Sequence, residues 1–525
     1  MQLGQLVKGL DIRLVTPAPL DLRICDITED SRTALPGSLF VARSGAKADG
    51  RQFALDAARA GAVAILTDNP EPLKTGHACP NVAIAVTPDV MLATAQLAER
   101  FYGNPSAALD TVGVTGTNGK TTTTWLIWQI MNAVGHRCGL IGTVMIDDGT
   151  EVARAAMTTP PSIEMSRSLA LMVEAGCRAV ALESSSHALH QHRVAALEID
   201  IGVFTNLTQD HLDYHATMAE YAQVKTRLFE MLPASGCAIV NADDPAAASM
   251  VQATKARAVR TRMASAVPAS EGELSVRVLT AAMSGMRLSI NSPQLALEFD
   301  TPLIGRYNAM NVAQAVAACH ALGLTPAEIS LGLAGISAPP GRLERVSAAG
   351  DDIHVFVDFA HTDDGLTSVL GAVRAVMTAG RLCVVFGCGG DKDRTKRPRM
   401  GLAAASLADT AVVTSDNPRT ERPGDIIDQV LAGITASLRS KVTVQADRHQ
   451  AIGFAIAGAQ PGDVVVIAGK GHETEQILPD AKGGTTTIHF DDREVAHAAL
   501  VARRRSHAVR VVIPSHPPHT KAPHS

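Results

Sequence analysis

The chain has 525 residues, 46 % hydrophobic and 19 % charged, which is too long for one core and too apolar for a disordered chain. Its formal net charge is −5, and no basic stripe precedes the C-terminal tail, so nucleic acid is excluded as a first expectation and small anionic substrates would need local cationic pockets. Eight cysteines with no CxxC pair argue against a disulfide framework and a structural zinc site, and no run of eighteen apolar residues could cross a membrane; a reducing cytoplasm is expected.

In chain order, the first hundred residues read as mixed α/β, with a Pro36-Gly37 turn, a strand over 38–42, a helical pattern over 53–59 and a strand over 63–66. The turn Gly103-Asn104-Pro105-Ser106 sets a boundary near 108, and Pro339-Pro340-Gly341 sets another near 340. Between them, apolar runs over 111–114, 179–182 and 201–205 suit a buried parallel sheet, with a helix over 120–134 after the first. The stretch 274–299 alternates apolar and polar residues, which predicts a small antiparallel sheet attached to that domain. Strands over 353–357, 382–386, 410–414, 442–445 and 464–467 then alternate with helices, predicting a doubly wound sheet. Four of them run into the loops DFAHTDD, GCGGDKDRTKRP, SDNPRTE and AGKGHETE, which should line one crevice at the carboxyl ends of the strands. The tail from Arg503 is basic, then rich in Pro and His, and reads as disordered.

The chemistry begins at GVTGTNGKTT. Gly116 and Gly119 let backbone N–H groups face an anion, Lys120 adds positive charge, and Thr121 can place a hydroxyl on Mg²⁺ at a helix N-terminus. The standard pattern GxxxxGK[ST] needs glycine where this chain has Val114, so the cradle is a variant one. Glu183 closes an apolar strand and His211 lies in DHLDYH; both residue types can hold or order hard cations. His211 and His215 form an HxxxH pair, but Leu212 stands where a metalloprotease has glutamate, so zinc is disfavoured and a packed histidine is the plainer reading, above all for His215. Lys225, in YAQVKTRLFEM, would by itself be a solvated helix charge.

The motifs TGTNGKTT, ESSSHAL, TNLTQDHLDYH, GRYNAMN, PGRLERV and DFAHT, in this order across residues 20 to 500, resemble the Mur ligases, ATP-dependent amide-forming enzymes of peptidoglycan synthesis. The resemblance implies three α/β domains. A small N-terminal domain, 1–108, binds the UDP-muramyl substrate; a central P-loop-type domain with a parallel sheet, 109–340, binds ATP; and a doubly wound Rossmann-like domain, 341–503, binds the incoming amino acid, followed by a disordered tail, 504–525. ATP would be held by Gly116, Thr117, Asn118, Gly119, Lys120, Thr121 and Thr122, by the pair Asn308 and Asn311, and by Arg342, Asp358 and His361 on domain closure. Lys120, Glu183, His211 and Lys225 would be catalytic, and Thr121, Glu183, His211 and Lys225 would hold Mg²⁺, Lys225 as a CO₂-derived carbamate. Carbamylation needs a neutral amine, so a buried Lys225 with a lowered pKa is expected.

For the muramyl dipeptide the resemblance implies Glu29, Ser31, Ala46, Lys47 and Ala48 at the uridine diphosphate end, and Thr158, Thr159, Ser185, Gln191 and Arg193 at the sugar and peptide. The loop Asp416-Asn417-Pro418-Arg419 resembles the signature of members that add meso-2,6-diaminopimelate, with Lys392, Gly469 and Glu473 at that amino acid's far end. Three departures stand out: Phe359 replaces the usual Tyr, Asp363 replaces Pro, and Lys392 replaces an Arg that clamps a carboxylate, with Arg394 as a nearby substitute. Thr362 with acids behind it also reads simply as a helix cap. The implied function is joining diaminopimelate to UDP-N-acetylmuramoyl-L-alanyl-D-glutamate through an acyl phosphate, by a monomer working on small molecules, with neither nucleic acid nor membrane as partner. Alternatives are a lysine-adding or folylpolyglutamate-forming relative and, from another class, a nucleotide switch that gives phosphate only to water.

Overall fold

The computed structural model describes the chain except residues 16–18, 46–48, 72–81, 211–213, 265–269 and 512–525, and except the side chains of 506–511. It divides into two compact units: Met1–Leu279 with Arg287–Thr301 and Tyr307–Ser337, and Ala338–Ser525 with Thr280–Met286 and Pro302–Arg306.

The first unit begins with a five-stranded sheet whose three inner strands are Ser38–Ala42, Ala64–Thr67 and Ala83–Val86, parallel and apolar. Its second sheet has a parallel centre in the order Cys237–Asn241, Ile201–Phe204, Asp110–Thr115, Ala179–Glu183 and Cys138–Ile141. Helices cover both faces, which is why the central strands read as unbroken apolar runs rather than alternating ones. The segment 274–299 is not a separate attachment. Its strands Glu273–Ala282, Gly285–Ser292 and Leu295–Thr301 extend the edge of the same sheet, joined through a parallel pairing of Arg257–Met263 with the first of them. Alternation reported the half-exposed character of these strands correctly; it carries no information about which edge they add to.

The second unit is a six-stranded sheet in the order Glu344–Arg345, His354–Asp358, Val464–Ala468, Leu382–Phe386, Thr410–Val413 and Val442–Val444, parallel apart from its first pair. The last strand in sequence thus lies between the second and third, and loops from neighbouring strands meet at their carboxyl ends.

Two buried ion pairs fix that end of the sheet. Arg448 and Asp492, both fully buried, are bidentate at 2.7 Å, and Arg448 also donates to the carbonyls of Ser415 and Ala468. Asp492→Ala leaves a guanidinium unpaired in the core, so it is expected to cost about 3–5 kcal/mol, read as a lower urea midpoint. Arg397, also fully buried, grips both oxygens of Glu421 at 2.8 and 2.9 Å and holds that carboxylate down at about 2.

The tail departs from expectation. A helix, Asp492–Val511, continues through the residues expected to be disordered from 504, because Arg503 and Arg504 form two-pronged ion pairs with Asp352 and Asp351. Composition alone does not reveal that two arginines of a basic tract have buried or anchored partners 150 residues away. Residues 512–525 lie outside the described part.

Candidate active site

The cradle lies between the strand Asp110–Thr115 and the helix Lys120–Ala133. Gly116 and Gly119 have φ of 144° and 87°, and a Cβ at either would run into Thr205 or Asn311, so glycine is required twice over. The TNLT segment braces the loop: Thr117 N donates to the Asn206 carbonyl, Asn118 N to Asn206 Oδ1, and Thr205 Oγ1 to the Asn118 carbonyl. Asn311, on the helix Arg306–Ala321, donates from Nδ2 to Asn308 Oδ1 at 3.1 Å, and both are buried. Thr122 is buried on the first helical turn.

Two lysines converge on one carbonyl. Lys120 Nζ donates to the carbonyls of Gly116 and Thr117 at 2.9 and 2.8 Å, and Lys225 Nζ donates to Gly116 at 2.9 Å. Lys225 is only 1 % exposed and lies 4.3 Å from the centre of the Tyr221 ring, one turn away on the helix Met218–Glu230. Burial, with the Lys120 ammonium added to it, pushes its pKa well below the ordinary lysine value. The expected buried, easily deprotonated amine is therefore present.

Glu183 ends the strand beside the cradle, with its carboxylate 1 % exposed and encircled by donors: Thr121 Oγ1 at 3.1 Å, Thr143 Oγ1 at 3.1 Å and Thr143 N at 2.6 Å. Thr143 was not foreseen; its signal is its place directly after the apolar strand Cys138–Ile141 and Gly142. These hard oxygen donors suit Mg²⁺. His211 lies outside the described residues. His215 is fully buried among the rings of His187, His190, Tyr214 and Tyr221, the packed histidine of the plainer reading.

The strand end leads into a second cluster. Thr159 Oγ1 donates to the Glu183 carbonyl at 2.6 Å and receives the Ser185 N–H, while Ser185 caps the helix Ser186–His190. Arg193 donates to the Thr159 carbonyl and to Gln191 Oε1, and Thr158 receives a bond from Thr143. Burial, with the Arg43 charge added to it, lowers the Arg193 pKa, and Arg43 is itself paired with Glu29 at 3.0 Å. Ser31 opens the short 3-10 helix Ser31–Thr33, and Ala46, Lys47 and Ala48 lie outside the described residues.

In the second unit, Asp358 is buried and accepts N–H bonds from Leu343 and Ala360; burial raises its pKa against the pull of Arg342. Arg342 lies over the Phe359 ring at 4.4 Å, so the aromatic face is used although tyrosine is absent, and His361 contacts the Phe359 carbonyl. Thr362 does cap the helix Asp363–Val376, accepting from Gly365 N, so Asp363 serves at a helix start.

The remaining loops meet as expected. Asn417 Nδ2 donates to Glu473 Oε2 at 2.9 Å, Arg419 Nη1 to the Gly390 carbonyl at 2.7 Å, and Gly390 N to the Asn417 carbonyl. Asp416, Asn417 and Pro418 are buried, and Gly469, with φ of 120°, lies beside Asp416. Lys392 is exposed on the Gly390 loop, and Arg394 is committed to Glu421 at 3.2 Å, so it is no free substitute for the missing arginine. The sequence reading missed Lys470, which is fully buried against Asn417 and Glu473.

Among the described residues five that are not glycine have positive φ: Asn104, His192, Leu343, Asp391 and Arg419. Arg419 is itself a candidate site residue, and His192, Leu343 and Asp391 adjoin Arg193, Arg342 and Lys392. Strain of this kind persists only where the surroundings enforce it, and it concentrates where side chains must be aimed.

Comparison with known proteins agrees with this geometry. The family models described as Mur ligase family, catalytic domain, Mur ligase middle domain, and Mur ligase, glutamate ligase domain match residues 23–102, 114–319 and 341–471. A UDP-N-acetylmuramoyl-L-alanyl-D-glutamate–2,6-diaminopimelate ligase of Gloeobacter violaceus is 44 % identical over 497 residues, covering 94 % of this chain and 97 % of the relative. The enzyme of the same name from Geobacillus thermodenitrificans is 44 % identical over 481 residues, covering 90 % and 94 %. A solved structure of a protein so named superposes with a TM-score of 0.67 at 30 % identity, over 96 % of this chain and 99 % of that one. The MurF ligase of Thermotoga maritima, solved with ADP, shares the fold at a TM-score of 0.60 and 16 % identity, over 94 % and 99 %. With a cradle of this build, a glutamate and a buried lysine beside it, and relatives matched along nearly their whole length, the chain belongs to the Mur ligase family.

Proposed function

We propose that the protein is an ATP-dependent ligase that joins meso-2,6-diaminopimelate to UDP-N-acetylmuramoyl-L-alanyl-D-glutamate in peptidoglycan synthesis. The observation that carries the reading is the Asp416-Asn417-Pro418-Arg419 loop held against Glu473 and the Gly390 loop, because such a pocket offers both an acceptor and a guanidinium. The far end of diaminopimelate carries an ammonium and a carboxylate, so it can use both; lysine has no distal carboxylate to offer the guanidinium.

A carboxylate repels nucleophiles and has no leaving group. Transfer of the γ-phosphoryl group of ATP to one of its oxygens gives an acyl phosphate and ADP; the amine then attacks the carbonyl carbon, phosphate departs with that oxygen, and the amine gives up a proton. The backbone N–H groups around Gly116 and Gly119, with Lys120, face the transferring phosphoryl group, and Asn308, Asn311, Arg342, Asp358 and His361 serve the nucleotide. Thr121, Glu183, His211 and carbamylated Lys225 would hold Mg²⁺, which when bound neutralises charge on the phosphoryl oxygens. Arg193, Gln191, Thr158, Thr159 and Ser185 orient the sugar and peptide, and Glu29, Ser31 and residues 46–48 the uridine diphosphate end. Residues 1–108, 109–340 and 341–503 are the three substrate-handling domains. The enzyme works as a cytoplasmic monomer; among the described residues no helix is long and apolar enough to cross a membrane.

The test is phosphate release with ATP, Mg²⁺ and the muramyl dipeptide, varying only the amino acid. Diaminopimelate is expected to drive release and a product of tripeptide mass, with lysine at least about 100-fold weaker in kcat/KM. Equal use of lysine, or undiminished release with no amino acid, overturns the proposal.

A further inference from the structure

Lys470 has a role that the motif around it does not announce. Its side chain is fully buried, and buried ammonium groups persist only where acceptors surround them. Nζ lies 3.0 Å from Glu473 Oε2, 3.2 Å from Asn417 Oδ1 and 3.8 Å from Asp416 Oδ1. It therefore lies against three of the polar side chains that the pocket would present to an amino acid.

The bonds around it leave little freedom. Asn417 Oδ1 also receives the Ile477 N–H at 3.0 Å, so its amide can face only one way, with Nδ2 turned to Glu473 Oε2. Glu473 Oε2 thereby takes two donors, which restricts the carboxylate and leaves Oε1 outside both bonds. Asp416 Oδ1 is buried without a hydrogen bond among the described residues, and Lys470 is the ammonium beside it. The backbone on either side is held as well: Gln476 Nε2 donates to the Asp416 carbonyl at 2.7 Å, and Arg419 N donates to the Ile477 carbonyl.

We propose that Lys470 is a positioning residue for amino-acid selection: it holds Asn417 and Glu473 in one arrangement, aims Glu473 Oε1 at the distal ammonium of the incoming amino acid, and offsets the charge of Asp416 and Glu473. This rests on the proposed function and names a residue that acts through Glu473 rather than on substrate. Asn417 and Glu473 come from loops 56 positions apart in sequence. Without the shared ammonium the Asn417–Glu473 bond would remain, but Glu473 would lose one of its two donors and its carboxylate would settle in one orientation only as substrate arrives.

The experiment is a double-mutant cycle on the full-length enzyme with Lys470→Met, Glu473→Gln and both together, measuring KM for diaminopimelate, KM for ATP and kcat. Lys470→Met is expected to raise KM for diaminopimelate roughly 10- to 100-fold, with KM for ATP and saturated kcat within about twofold. In the Glu473→Gln background the same change is expected to add less than about threefold, since its target is already lost. Lys470→Gln, which keeps a donor toward Asn417, is the second variant should Lys470→Met not fold, with the same coupling to Glu473 expected. A full, independent penalty in both backgrounds, or an equal rise in KM for ATP, overturns the role given to Lys470. A wild-type enzyme that shows no diaminopimelate-dependent release overturns the functional reading beneath it instead.

Discussion

Lys120→Ala is expected to reduce turnover by about 10³-fold or more while leaving the affinity for the muramyl dipeptide within about threefold. The lysine is the cation of the cradle, and its Nζ is held by the carbonyls of Gly116 and Thr117. The fold should survive, because Gly116 keeps the Lys225 donor and the glycines and the TNLT brace are untouched. Calorimetric binding of the dipeptide beside a rapid-quench search for acyl phosphate separates the two effects. Loss of dipeptide binding together with turnover would indicate a structural role and contradict the assignment.

Lys225→Met is the second large effect, and it has two parts of opposite sign. Turnover is expected to fall by about 10²- to 10³-fold or more, since an anionic ligand for the phosphoryl-transfer site can no longer form. Stability in CO₂-free buffer is expected to rise at neutral pH. The buried ammonium has a lowered folded-state pKa, so the folded protein binds this proton more weakly than the unfolded chain does. The resulting penalty is complete below the folded-state pKa and disappears as pH rises toward the unfolded value of about 10.4. The variant's advantage in melting temperature should therefore shrink as pH is raised through that window. The lost bond to Gly116 subtracts little, because Lys120 still donates to the same carbonyl. An inactive variant with the opposite pH trend would remove the buried-amine argument.

These expectations draw unequally on sequence and on geometry. The cradle was legible because Gly-Lys-Thr after an apolar strand is a local pattern, and the strands over 382–386 and 464–467 because residues buried on both faces leave an unbroken apolar run. The converging loops could be foreseen from the rule that ligands meet the carboxyl ends of parallel strands. What escaped was set by distant partners. Lys470 between two glycines looks like a solvated charge until Asn417 is brought beside it, and Arg394 looks available until Glu421 takes it. Arg503 and Arg504 read as the start of a basic tail, yet Asp352 and Asp351 hold them in a helix. The alternation over 274–299 gave the strands but not the sheet edge they join. In each case the role depended on a contact outside the local sequence, from 13 positions away at the sheet edge to 153 at Arg504.

The central claim is that a carboxylate becomes reactive by taking a phosphoryl group from ATP. The direct measurement uses muramyl dipeptide labelled with ¹⁸O in its reacting carboxylate, followed by mass analysis of the phosphate released with diaminopimelate. One ¹⁸O atom in each phosphate, matched by the loss of one from the peptide product, is the predicted result. Unlabelled phosphate released beside the peptide product, with the lost ¹⁸O in water instead, would contradict it.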